Sequence, residues 1–240
     1  MEALEIKTVF ILEFANISIP ISETVLVSWL VMLILIIASV LLTRRLKEIP
    51  SGFQIFLEAG IDFLNNFAKD QFGAFSKFLG PYMGSLFLFL IVANMIGLFS
   101  PSEGISLFSL EFSAPFAIHP PTRDINVTAA LASMSILLLL VCGLFARGIT
   151  GWFKHLLHPI PMMLPFNILE YATRLLSLAL RLFGNVLGSV VIMGLISGLV
   201  PVIIPMLPAI YFEIFDGVIQ AVIFVFLTSL YISEAVKVHD

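Results

Sequence analysis

Arg181 is the residue in this chain whose chemistry is hardest to place. It lies in the apolar run LSLALRLFGNVLGS, residues 176–189, with Ser177 four positions before it and Asn185 four positions after. That spacing puts Ser177, Arg181 and Asn185 on one face of a helix. A guanidinium stays protonated at any physiological pH, so it cannot escape an apolar setting by becoming neutral. Arg181 stands 16 residues after Pro165 and 20 before Pro201, roughly 24 Å and 30 Å along a helix axis. At that depth a side chain cannot snorkel to the surface. One reading is a permanent ion pair with Glu213 or Asp216. The other, which we expect, is an ion pathway, the usual role of an ionisable group inside a membrane.

Further polar residues share this pattern. Gly184 and Gly188 form a GxxxG beside Arg181, a spacing that lets another helix approach closely. Arg174, seven residues earlier, falls on nearly the same face, where a snorkelling or structural role stands beside an ion-path role. Glu170 lies nearer the helix start. On the last apolar stretch Glu213, Asp216 and Gln220 fall at i, i+3 and i+7, again on one face. Asp124 and Asn126 open a third apolar stretch. His155 and His158 are three apart, but their aromatic, proline-rich surroundings suit interfacial polar residues better than a metal site, and no metal is expected.

The elements that must carry these residues are membrane helices. Of 240 residues 60% are hydrophobic and 12% charged, with mean hydropathy +1.09, where a soluble domain has about 25% charged residues. Residues 1–24 are read as an external N-terminal segment; it is acidic and lacks a basic n-region, so no cleavable signal is expected there. Residues 25–42 form a first span ending in the cationic TRRLKE. Residues 51–78 mix Phe and Leu with Glu58, Asp62, Asn65, Lys69 and Asp70, the pattern of an amphipathic helix lying at the interface. Residues 82–99 are a second span, 100–123 a proline-bearing external loop, 124–146 a third span, and 147–161 a cytoplasmic interfacial segment. Residues 165–198 and 206–236 lack internal prolines, apart from Pro208 near the start of the second, and are too long to stand upright in about 30 Å of hydrocarbon. They are expected to tilt strongly and to form a slanted hairpin. The fold class is therefore an all-α polytopic membrane protein of about five crossings, with interfacial amphipathic helices.

Charge placement sets the orientation. With five crossings, Arg44, Arg45, Lys47, Lys69, Lys77, Arg147, Lys154 and Lys237 fall on one side, and only Lys7 and Arg123 on the other. The positive-inside rule then puts the N-terminus outside and the C-terminus in the cytoplasm. A net charge of −4 gives no reason to expect nucleic acid, the single Cys142 allows no internal disulfide, and no GxxxxGK[ST] loop offers ATP chemistry. No cofactor is expected, and the chain is not expected to be an enzyme by itself.

Four stretches, in order, resemble subunit a of the F-type ATP synthase: ANMIGLFSP (93–101), PPTRDINVTAALA (120–132), LSLALRLFGN around Arg181, and IQAVIFVFLTSLYISEAV (219–236). The resemblance implies a stator subunit of a proton channel, with Arg181 as the essential charge and Gln220 facing it. It also implies as partners a ring of small proteolipid subunits c, a peripheral-stalk subunit b, other ATP synthase subunits and the lipid bilayer. The implied location is a bacterial inner membrane. Ring subunits would turn against the small face of Gly184 and Gly188, each presenting a carboxylate to Arg181. Outer access would be lined by Asp124, Asn126, Glu213 and Asp216, and inner access by Glu170 and Arg174, with Ser177, Asn185 and Gln220 near the arginine. Where many members carry an acidic residue or histidine nine positions after the arginine, this chain has Val190, so Glu213 is a candidate to supply that polar group. The alternatives are a stand-alone cation or proton transporter, which should show internal repeats that are not seen, and a non-transporting scaffold, which would not need Arg181, Glu213 and Gln220 at depth.

Overall fold

The computed structural model describes residues 8–14, 17–44, 46–48, 50, 52–96, 119–157, 162, 164–199, 208 and 211–236. It begins with an antiparallel hairpin, β1 (Thr8–Phe14) and β2 (Ile17–Ser22), in which Leu12 pairs with Ile19 and Phe14 with Ile17. The other described elements are mainly helices: α1 (Glu23–Thr43), α2 (Phe53–Phe72), α3 (Ser76–Met95), α4 (Ile125–Leu157), α5 (Leu164–Leu199), a π turn (Tyr211–Asp216) and α6 (Gly217–Val236). Five helical stretches are long and apolar enough to cross a membrane: Glu23–Thr43, Phe53–Met95, Ile125–Trp152, Leu164–Ile196 and Ile214–Val236. The protein is an all-α integral membrane protein.

Most boundaries follow the hydropathy. The first span extends to Glu23–Thr43 and the first of the two long helices runs without a break over 36 residues, roughly 54 Å of axis. The expected amphipathic segment 51–78 is instead divided. Gly73, at φ +53°, ends α2, and α3 has already begun at Ser76, six residues before the expected second span. A residue with a Cβ rarely adopts that backbone angle, so glycine sets the corner. Likewise Gly148, at φ +70°, breaks α4 where the third span was expected to end, and helix resumes to Leu157 through part of the expected interfacial segment. The loop over 100–118, the turn between the long helices and the C-terminal residues 237–240 with Lys237 lie outside the described residues.

The chain divides into two compact units. The first comprises Met1–Ile37, Phe89–Thr128 and Leu180–Ala221. Its apolar centre joins Val27 and Val31 of α1 to Ala93 and Ile96 of α3, with Leu30, Leu35, Phe89 and Val92 packed around them. The second comprises Ala38–Leu88, Ala129–Ala179 and Val222–Asp240. Its buried residues come from α2 (Ala68, Phe72), α3 (Leu79, Met83, Leu86), α4 (Leu139, Cys142), α5 (Leu178) and α6 (Phe224, Val225, Ile232). In both units large apolar side chains such as Leu33, Ile36, Phe56, Phe145, Leu180 and Leu195 point outward, as expected where lipid or membrane partners replace water.

In the second unit a GxxxG that sequence reading passed over does the close packing. A Cβ on Gly80 would lie 3.3 Å from the Ala68 Cβ, and one on Gly84 would lie 3.7 Å from Leu64 Cδ1. Numbers rise along α3 as they fall along α2, so α2 doubles back on α3. Leu at position 80 would have to push α2 away, at a cost of about 1–3 kcal/mol for overpacking. We expect Gly80→Leu to lower the thermal inactivation midpoint of the detergent-purified protein. Gly60→Ala, on an open part of α2 with no atom within 4 Å of its added Cβ, should leave it unchanged or raise it, because alanine favours helix.

Candidate functional site

In the first unit a belt of polar side chains ties four elements together. At the start of α4, Asp124 is 3% exposed. Its Oδ1 accepts the Asn126 backbone N–H at 2.8 Å, and its Oδ2 accepts the Thr24 hydroxyl of α1 at 2.8 Å. The first bond is an N-cap: an acid just outside a helix satisfies a backbone donor that has no partner inside it. Thr24 and Ser22 share a further hydroxyl contact at 2.7 Å. Two residues before Asp124, the buried Thr122 hydroxyl donates to Asn94 Oδ1 of α3 at 2.8 Å. Asn94 Nδ2 then donates to the Gly217 carbonyl, at the first residue of α6, at 3.2 Å. A Cβ on Gly217 would lie 3.0 Å from the Asn94 Cβ, so any larger residue here would have to push Asn94 back by roughly a few tenths of an ångström.

Beside the belt lies a crevice of about 30 Å³ lined by Asn94, Pro120, Asn185, Val186, Ser189, Val190, Phe212 and Gly217. That is room for about two water molecules, with polar partners available to hold them. The Asn185 side chain interacts with the Asp216 carboxyl, so the structure joins two residues singled out in the sequence on different helices. Val190, nine positions after Arg181, lines the same crevice. Gln220 is 5% exposed, and its Nε2 has no hydrogen-bond partner among the described residues. A buried amide donor without a partner is costly, typically about 1–3 kcal/mol, so it suits a site completed by water or by another subunit. The side chain of Glu213 lies outside what is described.

Arg181 is exposed, and it makes no ion pair or hydrogen bond with any described residue. Its neighbours Leu178 and Leu182 are buried at 1% and 0% exposure, so α5 packs inward on those residues and leaves Leu180, Arg181 and Gly184 open. A Cβ added to Gly184 or to Gly188 would meet nothing within 4 Å. The GxxxG beside the arginine is therefore a contact face that no described residue fills. Ser177 is exposed as well, and Asn126 stands exposed after the Asp124 cap.

The second unit holds a separate ionic cluster. The Arg174 guanidinium bonds to the Glu170 carboxylate one turn earlier and to Glu234 Oε2 of α6 at 2.7 Å. It also lies 4.6 Å from the centre of the Tyr231 ring, a cation–π distance. Arg147 donates from Nε to the Ala235 carbonyl at 3.2 Å and from Nη2 to that of Glu234 at 3.4 Å, closing the end of α6 with a positive charge. Sequence reading found Glu170 and Arg174 but missed Glu234, Tyr231 and Arg147. Their periodicity on α6 or α4 marks no shared face with Arg174; only the tertiary fold brings them together. Among the described residues no cluster of His, Cys, Asp or Glu could hold a metal ion.

Residues 25–233 match the family model described as ATP synthase A chain. The matched region includes Arg181, Asn185, Asp216, Gln220, the Asn94–Thr122–Asp124 belt and Arg174.

The Asp124 geometry gives a stability test. Asp124→Ala removes the α4 cap and the acceptor of the buried Thr24 hydroxyl, together on the order of 2–4 kcal/mol. Asp124→Asn keeps a side-chain oxygen for the Asn126 N–H and should lose about 1 kcal/mol or less. Thermal unfolding followed by circular dichroism should therefore rank wild type and Asn close together and Ala well below. Equal midpoints for all three would mean that Asp124 holds nothing in place.

Proposed function

The chain belongs to the ATP synthase A chain family, and we propose that Arg181, which pairs with no described residue, is the charge that makes passing rotor carboxylates give up their protons. As a member it is an integral membrane subunit on the stator side of a proton channel and associates with other ATP synthase subunits. The observation that carries this reading is an exposed guanidinium with no acid beside it among the described residues, next to glycines that no described residue covers.

A protonated carboxyl can face lipid, whereas a carboxylate there is costly. A guanidinium within a few ångströms lowers a carboxyl pKa by about 1–3 units. A ring site that swings beside Arg181 therefore releases its proton, and the arginine cannot carry that proton onward because it never deprotonates. One fixed charge thus does two jobs: it ionises the arriving site and blocks a direct proton leak between two offset half-channels. The small face of Gly184 and Gly188 lets a ring helix come close enough for the charge to act. Gln220, with its free Nε2, is a donor that either carboxyl form can accept from.

In this reading the outer half-channel runs past Asn126, Glu213, Asp216 and Asn185, with water in the crevice beside Asn94. Asp124 fixes the mouth by capping α4. The inner half-channel runs past Glu170, Arg174 and Ser177. The Arg174 cluster supports this, because it gathers two carboxylates, Glu170 and Glu234, and two guanidinium groups, Arg174 and Arg147, at one end of α6, a polar site that can hold water. The rotor partner is a ring of small subunits c, and the fixed partner is the peripheral-stalk subunit b. The subunit sits in a bacterial inner membrane with its N-terminus outside, transports hydrogen ions, and catalyses no reaction by itself.

Arg181→Ala should leave the complex assembled and abolish ATP synthesis driven by an imposed proton gradient in inverted vesicles. Arg181→Lys keeps a charge but replaces the planar, permanently protonated fork with an ammonium that deprotonates when desolvated, so it should also fail. Wild-type synthesis in the alanine variant would end this mechanism, and wild-type synthesis in the lysine variant alone would show that any cation suffices.

A further inference from the structure

Asn94 is 7% exposed, and both ends of its carboxamide are engaged by different parts of the chain. Its oxygen takes the Thr122 hydroxyl, and its nitrogen serves the Gly217 carbonyl. Thr122 stands two residues before Asp124, which caps α4 and is gripped by Thr24 of α1. Asn94 is thus the link between a firmly anchored turn and the first residue of α6.

Gly217 is also where the π turn Tyr211–Asp216 hands over to α-helix. A π turn carries more residues per turn than an α-helix, so the place where it ends fixes the rotational phase of what surrounds it. Slipping α6 by one residue in register would rotate its side chains by about 100° around the helix axis. Asp216 lies immediately before the junction and Gln220 three residues after it. A one-residue slip would turn Asp216 away from Asn185 and carry the buried Gln220 amide outward. The helix backbone alone does not choose between these registers, because each forms a full set of hydrogen bonds. A side-chain donor reaching Gly217 from another helix, with glycine clearing the space for it, does choose.

We propose that Asn94 is a positioning residue that locks the π-to-α junction at Gly217 in register and so aims Asp216 at Asn185 and keeps Gln220 inward. The consequence for proton transfer rests on the channel reading above; the register lock itself does not. Asn94 acts through the backbone it holds, and its own side chain need not exchange a proton.

The test reads register without transport. In intact complexes in native membranes, with Cys142→Ser as background, Asn185→Cys and Asp216→Cys are combined and disulfide formation by a mild oxidant is timed per assembled complex. With Asn94 present the pair should cross-link readily. Asn94→Leu removes both hydrogen bonds and should slow cross-linking by about three- to thirtyfold, the factor that one interhelical hydrogen bond in a membrane protein is worth. Asn94→Asp has the same shape and guards against misfolding by Leu. As a carboxylate it cannot donate to the Gly217 carbonyl, so at neutral pH it should cross-link slowly. As an acid it can donate again, so at low pH its rate, taken relative to the Asn94 parent at the same pH, should recover. Asp124, beyond Thr122, is the other described acid beside this belt, and the parent comparison cancels its titration. Equal rates for the parent and both variants would overturn the proposal. So would slow cross-linking by Asn94→Asp without recovery in acid, since a general loosening would not heal on protonation. If cross-linking is unchanged while proton-driven synthesis falls in Asn94→Asp, Asn94 acts directly in the path and the register lock is wrong. Failure of the Arg181 variants to lose synthesis would refute the channel reading and leave this result untouched.

Discussion

The constraint on which the proposed function depends is a guanidinium that cannot lose its proton and pairs with no acid among the described residues. Arg181 sits in a helix long and apolar enough to cross a membrane, where a lone charge costs several kcal/mol on insertion scales and more on others. A fold tolerates that cost when the charge is completed by something outside it. The open glycines at 184 and 188 and the inward packing of Leu178 and Leu182 keep the charge available on an uncovered side of α5. Had an internal acid neutralised Arg181, the same helix would be a structural strut.

The remaining polar groups divide into those that are satisfied and those that wait. Asp124, Thr122, Thr24 and Asn94 spend their donors and acceptors on one another and on backbone, which fixes the beginnings of α4 and α6. Arg174 is neutralised twice over, by Glu170 and Glu234. Among the described residues Gln220 keeps a buried donor without a partner, and Asp216 meets the neutral Asn185 side chain. Interactions between helices inside a membrane gain nothing from the hydrophobic effect, so such hydrogen bonds and the glycine contacts at 80, 84 and 217 carry an unusual share of the specificity.

The spans and the family were legible in the sequence because hydropathy and a buried charge are strong local signals. Val25–Leu42 could hardly be anything but a span, and the residues around Arg181 are specific. What went unread depended on partners far along the chain. GxxxG occurs at Gly80–Gly84 as well as at Gly184–Gly188, and spacing alone does not say which is filled; α3 runs through Pro81 inside the first. Asp124 read as a polar residue at a helix mouth, yet an acid just before an apolar run is also an N-cap pattern, which its buried bonds satisfy. The π turn has no periodicity that distinguishes it from α-helix. The β1–β2 pairing was carried by apolar, β-branched residues on both sides of Asn16 within a segment read only as external. Glu234 reached Arg174 across 60 positions, beyond any local pattern.

The central claim is that Arg181 ionises the rotor carboxylate beside it, and infrared difference spectroscopy on the isotopically labelled ring within the assembled membrane sector measures that state directly. At a pH where ring carboxyls facing lipid are protonated, the account predicts a small ionised carboxylate population in the wild type, a minority of the sites in each ring. In Arg181→Ala that band should disappear and all sites should read as protonated. The same ionised fraction in both would contradict the account, because the carboxylate would then owe its charge to something other than Arg181.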